Sequence, residues 1–383
     1  MMLFTNATVF TGTDFLPNAT VQVANGLITA VLTGEIYESD TLDLQGDYLI
    51  PGLVDLQLYG GSWQFLNQTP TSDTVRHIHD THRRNGTTSV MPTLYSTSHG
   101  VILQAIEAVR EVMRERPGGI LGLHVEGPYI NPIRRGAHSP NYVRQPDERE
   151  LAELIGRGAD VIKLLTIAPE IFSPKQLDWL KQLAPETRLS LGHSNATYAE
   201  ATSAFDAGIS LVTHLYNAQR GFESREPGVV GAVFDHPTVR ASLIADGFHC
   251  VPMAIRLAYK LLGPERLFLI SDASFAYPPR PVFDFEDFQI RYDAGRYLNQ
   301  EGKLAGSSIT LLEAVRVCVE QAGLPLANVL QMATQTPADV IGRTDLGRIA
   351  TGCVANFVWL DKSLTMKGVW QDGIRVMPAG NNQ

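Results

Sequence analysis

Cysteine is scarce: of 383 residues only Cys250, Cys318 and Cys353 carry a thiol. An odd count at long spacings builds neither a disulfide framework nor a cysteine zinc site, so a reduced, cytoplasmic compartment is expected. Long apolar runs are missing too. None approaches the ~18 residues of a membrane span, and no membrane partner is expected. The N-terminus, MMLFTNATVFTGTDF, has no basic stretch and no sustained apolar core, so no secretory signal is expected. Positive charge is in deficit. With 31 Lys and Arg against 40 Asp and Glu, the formal net charge is −9, which argues against non-specific nucleic-acid binding. An anionic substrate would need a local cationic pocket working against that field. What remains is 44% apolar and 19% charged, the composition of a well-packed globular chain. Its length suits a barrel of about 250 residues plus a smaller satellite domain.

Residues 1–48 read as short strands broken by turns, among them LFTNATVFTG, TVQVANGLITAVL and YESDTLDLQG. The segment GRIATGCVANFVWLDKSLTMKGVWQDGIRV repeats that texture near the other end as three short strands. Residues 1–48 and 345–383 are therefore expected to form one composite β-sandwich domain. Between them, 49–344 alternates buried-strand runs with helical periods. The strand runs are 49–60, 87–96, 119–129, 161–170, 188–196, 210–218, 239–249 and 267–274. Near-continuous apolar strands alternating with helices mean a parallel sheet covered by helices, and eight such units predict a closed (β/α)₈ TIM barrel. After Ser307, SITLLEAVRVCVEQAG predicts an amphipathic helix and PLANVLQMATQTPADVIG a helical pair.

Barrel enzymes carry their chemistry at the C-terminal strand ends. Polar residues fall at that end of six strands: Asp55, Gln57 and Tyr59; His124 and Glu126; His193; His214 and Asn217; Asp246 and His249; and Asp272. Packing alone does not explain so many. Glu126, His193 and His214 together offer one carboxylate and two imidazoles, a hydrolytic zinc set with a position left for water or substrate. Asp272 would face that metal, take a proton from the water and return it to a leaving amine. Alone, His193 or His214 reads as a strand-end histidine bonded to backbone, and Asp272 as a helix cap. Asp55 reads as structural, and Asp246 as either structural or substrate-contacting. The segment His77-Ile78-His79-Asp80-Thr81-His82 contains a His-x-His, but it sits in a helical pattern where residues two apart diverge. It reads as a solvated helix face.

Longer motifs then carry a resemblance: PGLVDLQLYGG (51–61), LGLHVEGPYINPIRRGAHSP (121–140), LGHSNATY (191–198), THLYNA (213–218), REPGVVGA (225–232), ADGFH (245–249), SDA (271–273) and LAGSSITL (304–311). Over nearly its whole length the chain resembles the N-acetylglucosamine-6-phosphate deacetylase family of the amidohydrolase superfamily. The resemblance implies a barrel with a small β-sandwich from both termini, metal ligands Glu126, His193 and His214, and catalytic Asp272. It implies that His138 contacts the acetylated sugar beside Ala137, that Asn217 and Ala218 contact substrate near its phosphate, and that Leu304, Ala305 and Gly306 line the sugar. Arg225 and His249 match phosphate-binding cations, one of them supplied by the neighbouring subunit of a homodimer. Taken alone, Arg225 reads as a surface partner of Glu223 or Glu226, His249 as a loop histidine, and Asn217 as a residue bonding its own loop.

Two departures matter. The first strand ends in Gln57-Leu58-Tyr59 where many amidohydrolases have His-x-His, so a single divalent ion per subunit is expected, with Gln57 orienting water beside it. That ion is expected to be zinc, with iron, manganese and cobalt as alternatives. The loop Gln219-Arg220-Gly221-Phe222 also departs from the family pattern, which leaves the sugar epimer open. The expected reaction is hydrolysis of N-acetyl-D-glucosamine 6-phosphate to D-glucosamine 6-phosphate and acetate. The galactosamine epimer, another N-acyl substrate, or an inactive scaffold are the alternatives.

Overall fold

A computed structural model describes every residue except 35, 37–39, 277, 286 and 377–383. Its centre is a ring of eight parallel strands: Val54–Leu58, Ser89–Leu94, Leu123–Glu126, Ile162–Ile167, Arg188–Leu191, Leu211–Val212, Arg240–Ile244 and Leu267–Ile270. They pair in sequence order, and a parallel bridge between Leu58 and Ala273 joins last to first. Each lies inside one of the eight expected runs. The lack of alternation has a plain cause, since both strand faces are buried. Val54, Leu56, Met91, Leu164, Phe268 and Ile270 fill the barrel interior. Leu58, Val90, Leu123, Leu165 and Leu269 pack outward against the helices.

The run 49–60 divides. Tyr48–Pro51 pairs antiparallel with Phe357–Leu360 in a second sheet, and the barrel begins only at Val54. Gly52 makes the close passage possible, because a Cβ there would sit 2.1 Å from Thr88 Oγ1. The second sheet runs Ile374–Val376, Met366–Gln371, Phe357–Leu360, Tyr48–Pro51, Met2–Phe10, Phe15–Ala24, Leu27–Thr33, with Thr41–Asp43 beside Met2–Phe10. Both ends of the chain thus share one apolar core, where Phe4 meets Phe357 and Trp370 edge-on at 5.2 and 5.1 Å. Of the expected terminal segment 345–383, residues 377–383 lie outside those described, as do 37–39 of the expected strand YESDTLDLQG.

Two features differ from the sequence reading. The helix Ser72–Arg83 forms as expected, but its histidines are not solvated: His79 and His82 are fully buried. Each finds a backbone group of its own. His82 Nε2 pairs with the Gly60 carbonyl at 2.9 Å, and His79 Nε2 with that of Thr88 at 3.0 Å. The backbone N–H of Ser62 donates to His77 Nε2 at 3.1 Å. Burial pushes the His79 and His82 pKa values down to about 4, so both are neutral clamps between helix and barrel. The second feature is an insertion after the eighth strand. Val282–Phe285, Phe288–Asp293 and Arg296–Leu298 form a three-stranded antiparallel sheet. Its Phe283, Phe285 and Tyr297 join Tyr59, Phe65 and Tyr95 in an aromatic roof over the end of the first barrel strand. The later helices form at Leu311–Arg316, which runs on as a π-helical turn to Gln321, and at Leu326–Ala333 and Gln335–Val340. Among the described residues no helix is long and apolar enough to cross a membrane.

Candidate active site

The C-terminal strand ends open on a cavity of about 250 Å³. Glu126 is the last residue of the third strand. His193, His214 and Asp272 each stand two residues past the fifth, sixth and eighth strands. Their φ angles are 48°, 36° and 54°. That left-handed backbone costs a non-glycine residue about 1–2 kcal/mol, strain that a packed site must offset.

Glu126 Oε1 lies 2.9 Å from His214 Nε2 and 3.2 Å from His193 Nε2, and the two imidazole nitrogens are 3.1 Å apart. The edges of a tetrahedral zinc-type shell are about 3.3 Å, so the triangle has the size of one face of such a shell. The proton arrangement agrees. His193 Nδ1 donates to the Arg134 carbonyl at 3.0 Å, which leaves a lone pair on Nε2 facing a carboxylate oxygen. Two acceptors in contact call for a cation between them. Burial works to raise the Glu126 pKa, but the surrounding His193, His138 and His214 rings outweigh it and hold the carboxyl well below its ordinary range.

Behind this triangle a second network holds the carboxylates. Tyr59 donates its hydroxyl proton to Glu126 Oε2 at 2.6 Å and lies 3.1 Å from Asp272 Oδ1. Gln57 Nε2 reaches Tyr59 Oη, Glu126 Oε1 and Asp272 Oδ1 at 2.8, 3.0 and 2.9 Å. Gln57 therefore spans the gap between the two carboxylates. The Tyr59 ring is stacked on Tyr95 at 3.8 Å and 11°, so its hydroxyl has little freedom. Burial, reinforced by the Glu126 charge, pushes the Asp272 pKa well up. Beneath them, Asp55 accepts from the backbone N–H groups of Gln57 and Ser271, and burial raises its pKa to about 7. It ties the first strand to the eighth.

His138 is wholly buried behind Ala137. Its Nδ1 accepts from the Ser96 backbone N–H at 3.0 Å, so Nε2 carries the proton, 3.3 Å from Glu126 Oε2. Burial lowers its pKa to about 4 and keeps it a neutral N–H donor. Ala137, Asn217, Ala218, His249, Leu304 and Gly306 line the cavity with Glu126, His193, His214 and Asp272. Ala305 is buried one residue behind, its carbonyl accepting from Ser274 Oγ at 2.8 Å. Asn217 Nδ2 also bonds its own loop at the Leu215 carbonyl. Asp246 belongs to the support: its Oδ2 is 2.6 Å from His249 Nδ1, which aims that ring. Burial raises the Asp246 pKa, but the His249 bond and charge outweigh it and leave a net lowering. Arg225 is exposed and is not part of the cavity wall.

Tyr95, Ile244 and Lys303 also line the cavity, and the sequence reading did not single them out. Lys303 Nζ is 2.8 Å from Glu301 Oε2, and Glu301 Oε1 holds Arg135 at 2.5 Å, so the insertion brings a cation to the rim. Lys303 directly precedes the LAGSSITL motif, but no strand-end argument reaches a residue delivered by an insertion.

A model of the amidohydrolase family matches residues 48–381. An N-acetylgalactosamine-6-phosphate deacetylase of Shewanella sp. (strain ANA-3) is 36% identical over 97% of this chain and 95% of its own. An N-acetylglucosamine-6-phosphate deacetylase of Haemophilus influenzae is 34% identical over 92% of this chain and 93% of its own. The crystal structure of N-acetylglucosamine-6-phosphate deacetylase from Pasteurella multocida superposes with a TM-score of 0.92 at 31% identity, covering 98% of this chain and 99% of its own.

Proposed function

The chain belongs to the amidohydrolase family, and on that footing we propose that it hydrolyses N-acetyl-D-glucosamine 6-phosphate to D-glucosamine 6-phosphate and acetate. One observation carries the chemistry: a carboxylate and two imidazoles converge within 3.2 Å beside a second buried carboxyl group, Asp272, at the mouth of a barrel. The relatives' activity supplies the substrate class. Glu126, His193 and His214 would hold one divalent ion, zinc by the ligand set, with iron, manganese and cobalt as alternatives. Such an ion lowers the pKa of water towards ~7, polarises a carbonyl oxygen and offsets the upward push on Asp272.

The protein's own groups then have defined tasks. Asp272, anchored through Oδ1, takes the proton of the attacking water on Oδ2. The His138 Nε2–H donates to the developing oxyanion. Asp272 returns its proton to the amine nitrogen as the C–N bond breaks. Gln57 and Tyr59 keep the two carboxylates apart, and they fill the space where the first strand would otherwise offer ligands. A single ion fits that arrangement.

His249, aimed by Asp246, would bind the phosphate from within the cavity wall. Arg225, exposed and outside it, fits a role in the cavity of a partner copy. A homodimer is supported by an apolar stripe: Met253, Leu257 and Leu261 are exposed four residues apart on the helix Pro252–Arg266, beside exposed Phe248 and Val251. Three free, buried thiols suit a reducing cytoplasm, which we take as its compartment. The galactosamine epimer is the second reading, because the Shewanella relative of that name is 36% identical. The test is acetate release by protein of measured metal content from both epimers, with and without the 6-phosphate. Rapid turnover of N-acetylglucosamine 6-phosphate supports the proposal, and no turnover by metal-loaded protein refutes it.

A further inference from the structure

At the other end of the barrel, away from the catalytic cavity, lies a second cavity of about 400 Å³. It sits where the helices Ser72–Arg83 and His99–Glu115 end and where the strands Met366–Gln371 and Ile374–Val376 turn. Its wall carries four guanidinium groups, Arg83, Arg84, Arg116 and Arg375, together with His79 and Gln371. In a chain of net charge −9 that concentration is unusual.

The carboxylates nearby do not neutralise it. Asp80 is shared between Arg83 at 3.0 Å and Arg116 at 2.7 Å. Glu115 is engaged by Arg76 at 2.6 Å. Arg84 has no ion-pair partner among the described residues, and Arg375 packs over the Trp370 ring, 5.5 Å from its centroid. Asp372 also lines the cavity, one carboxylate against its four guanidinium groups.

Two polar atoms of the wall lack partners. Arg83 Nε and Gln371 Oε1 are buried without partners. Arg116 Nη1 lies 3.1 Å from His79 Nδ1, and a guanidinium only donates, so Nδ1 accepts and the ring proton is on Nε2. That Nε2–H donates to the Thr88 carbonyl. Gln371 Nε2, 3.3 Å from the same Nε2–H, is then donor against donor. Turning the amide over brings Oε1 to the imidazole N–H and sends the NH₂ to the unpaired position. Both unpaired groups are then donors. Buried donors without acceptors are costly unless a ligand supplies the acceptor.

We infer that this cavity is an anion site, separate from the catalytic one, for a compact ligand carrying two linked phosphate groups. Planar guanidinium forks match phosphate oxygens two by two, and 400 Å³ is the size of a small-molecule site rather than of a single ion. The inference does not depend on the identity of the catalytic substrate.

The test is calorimetric titration of the full chain with pyrophosphate and with inorganic phosphate at physiological salt. It is run on the wild type, on an Arg84→Gln/Arg375→Gln variant and on an Arg225→Ala/His249→Ala variant. The expected result is one pyrophosphate per chain, bound at least about tenfold more tightly than phosphate. That binding should persist in Arg225→Ala/His249→Ala and weaken about tenfold or more in Arg84→Gln/Arg375→Gln. The latter variant should retain its melting temperature and ligand-free deacetylase rate. Equal affinity for the two anions, binding unchanged in Arg84→Gln/Arg375→Gln, or binding lost in Arg225→Ala/His249→Ala would each overturn the inference.

Discussion

Replacing Tyr59 with phenylalanine removes one oxygen from the candidate active site and should disturb little else. The ring is held by its stack on Tyr95 at 3.8 Å and by Phe65 at 6.2 Å, contacts that phenylalanine reproduces. The hydroxyl makes the shortest bond to Glu126, 2.6 Å at Oε2, and stands 3.1 Å from Asp272. A hydrogen bond to a charged group contributes about 1.5–3 kcal/mol, and at 1.36 kcal/mol per decade that is roughly ten- to hundredfold in rate. Because the lost donor steadies the proposed metal ligand Glu126 and the proposed base Asp272 and touches none of the proposed sugar contacts, the loss should fall on kcat and leave KM within about twofold. Gln57 still reaches both carboxylates at 3.0 and 2.9 Å, so the variant should fold and hold its metal. The assay is steady-state acetate release on wild type and Tyr59→Phe matched for metal by elemental analysis. A kcat within about threefold of wild type at equal metal content would show that the network does not tune the carboxylates.

Asp272→Asn should lower turnover by about 10²–10⁴ while metal content stays at the wild-type level; near-normal turnover would remove Asp272 from its assigned role. Mixing Arg225→Ala chains with Asp272→Asn chains should regenerate about a quarter of the wild-type sites if Arg225 acts across a dimer; a mixture no more active than its parts refutes that exchange. His82 has a folded pKa near 4 against an ordinary 6.5, so unfolding between those values takes up a proton. Its contribution to stability is complete above pH 6.5 and is lost as pH falls towards 4, with a slope of up to about 1.4 kcal/mol per pH unit. In His82→Gln, urea unfolding between pH 7 and 4.5 should flatten by that amount, and an unchanged slope would contradict the burial argument.

The barrel was legible because buried parallel strands leave apolar runs of the right length, and because polar residues recur where those runs stop. His193, His214, Asp246 and Asp272 all fell inside such runs, just past the apolar stretch of each. Longer-range packing was hidden. Nothing local told that Tyr48–Pro51 would leave the first run for the terminal sheet, since an apolar strand fits either partner. The histidines of Ser72–Arg83 looked solvated because helical spacing says which residues diverge, not what each one meets. The insertion did carry a signal, alternation in FQIRYD followed by Ala294-Gly295 and RYL, which is hairpin patterning. Its meaning as roof and rim, and with it Lys303, depended on contacts more than 200 residues away along the chain, such as that between the Phe65 and Phe283 rings, 5.5 Å apart.

The seam between the first and eighth strands has a consequence for how the chain matures. Gln57 and Asp272 meet there: the Asp272 backbone N–H donates to the Gln57 carbonyl at 2.9 Å, and the Gln57 side chain holds the Asp272 carboxyl. These groups are 215 positions apart in sequence, so the Asp272 carboxyl is not braced until nearly the whole ring has been threaded and zipped. A nascent or partly refolded chain with seven strands in place would be silent, and hydrolytic competence would arrive in one step with the final strand.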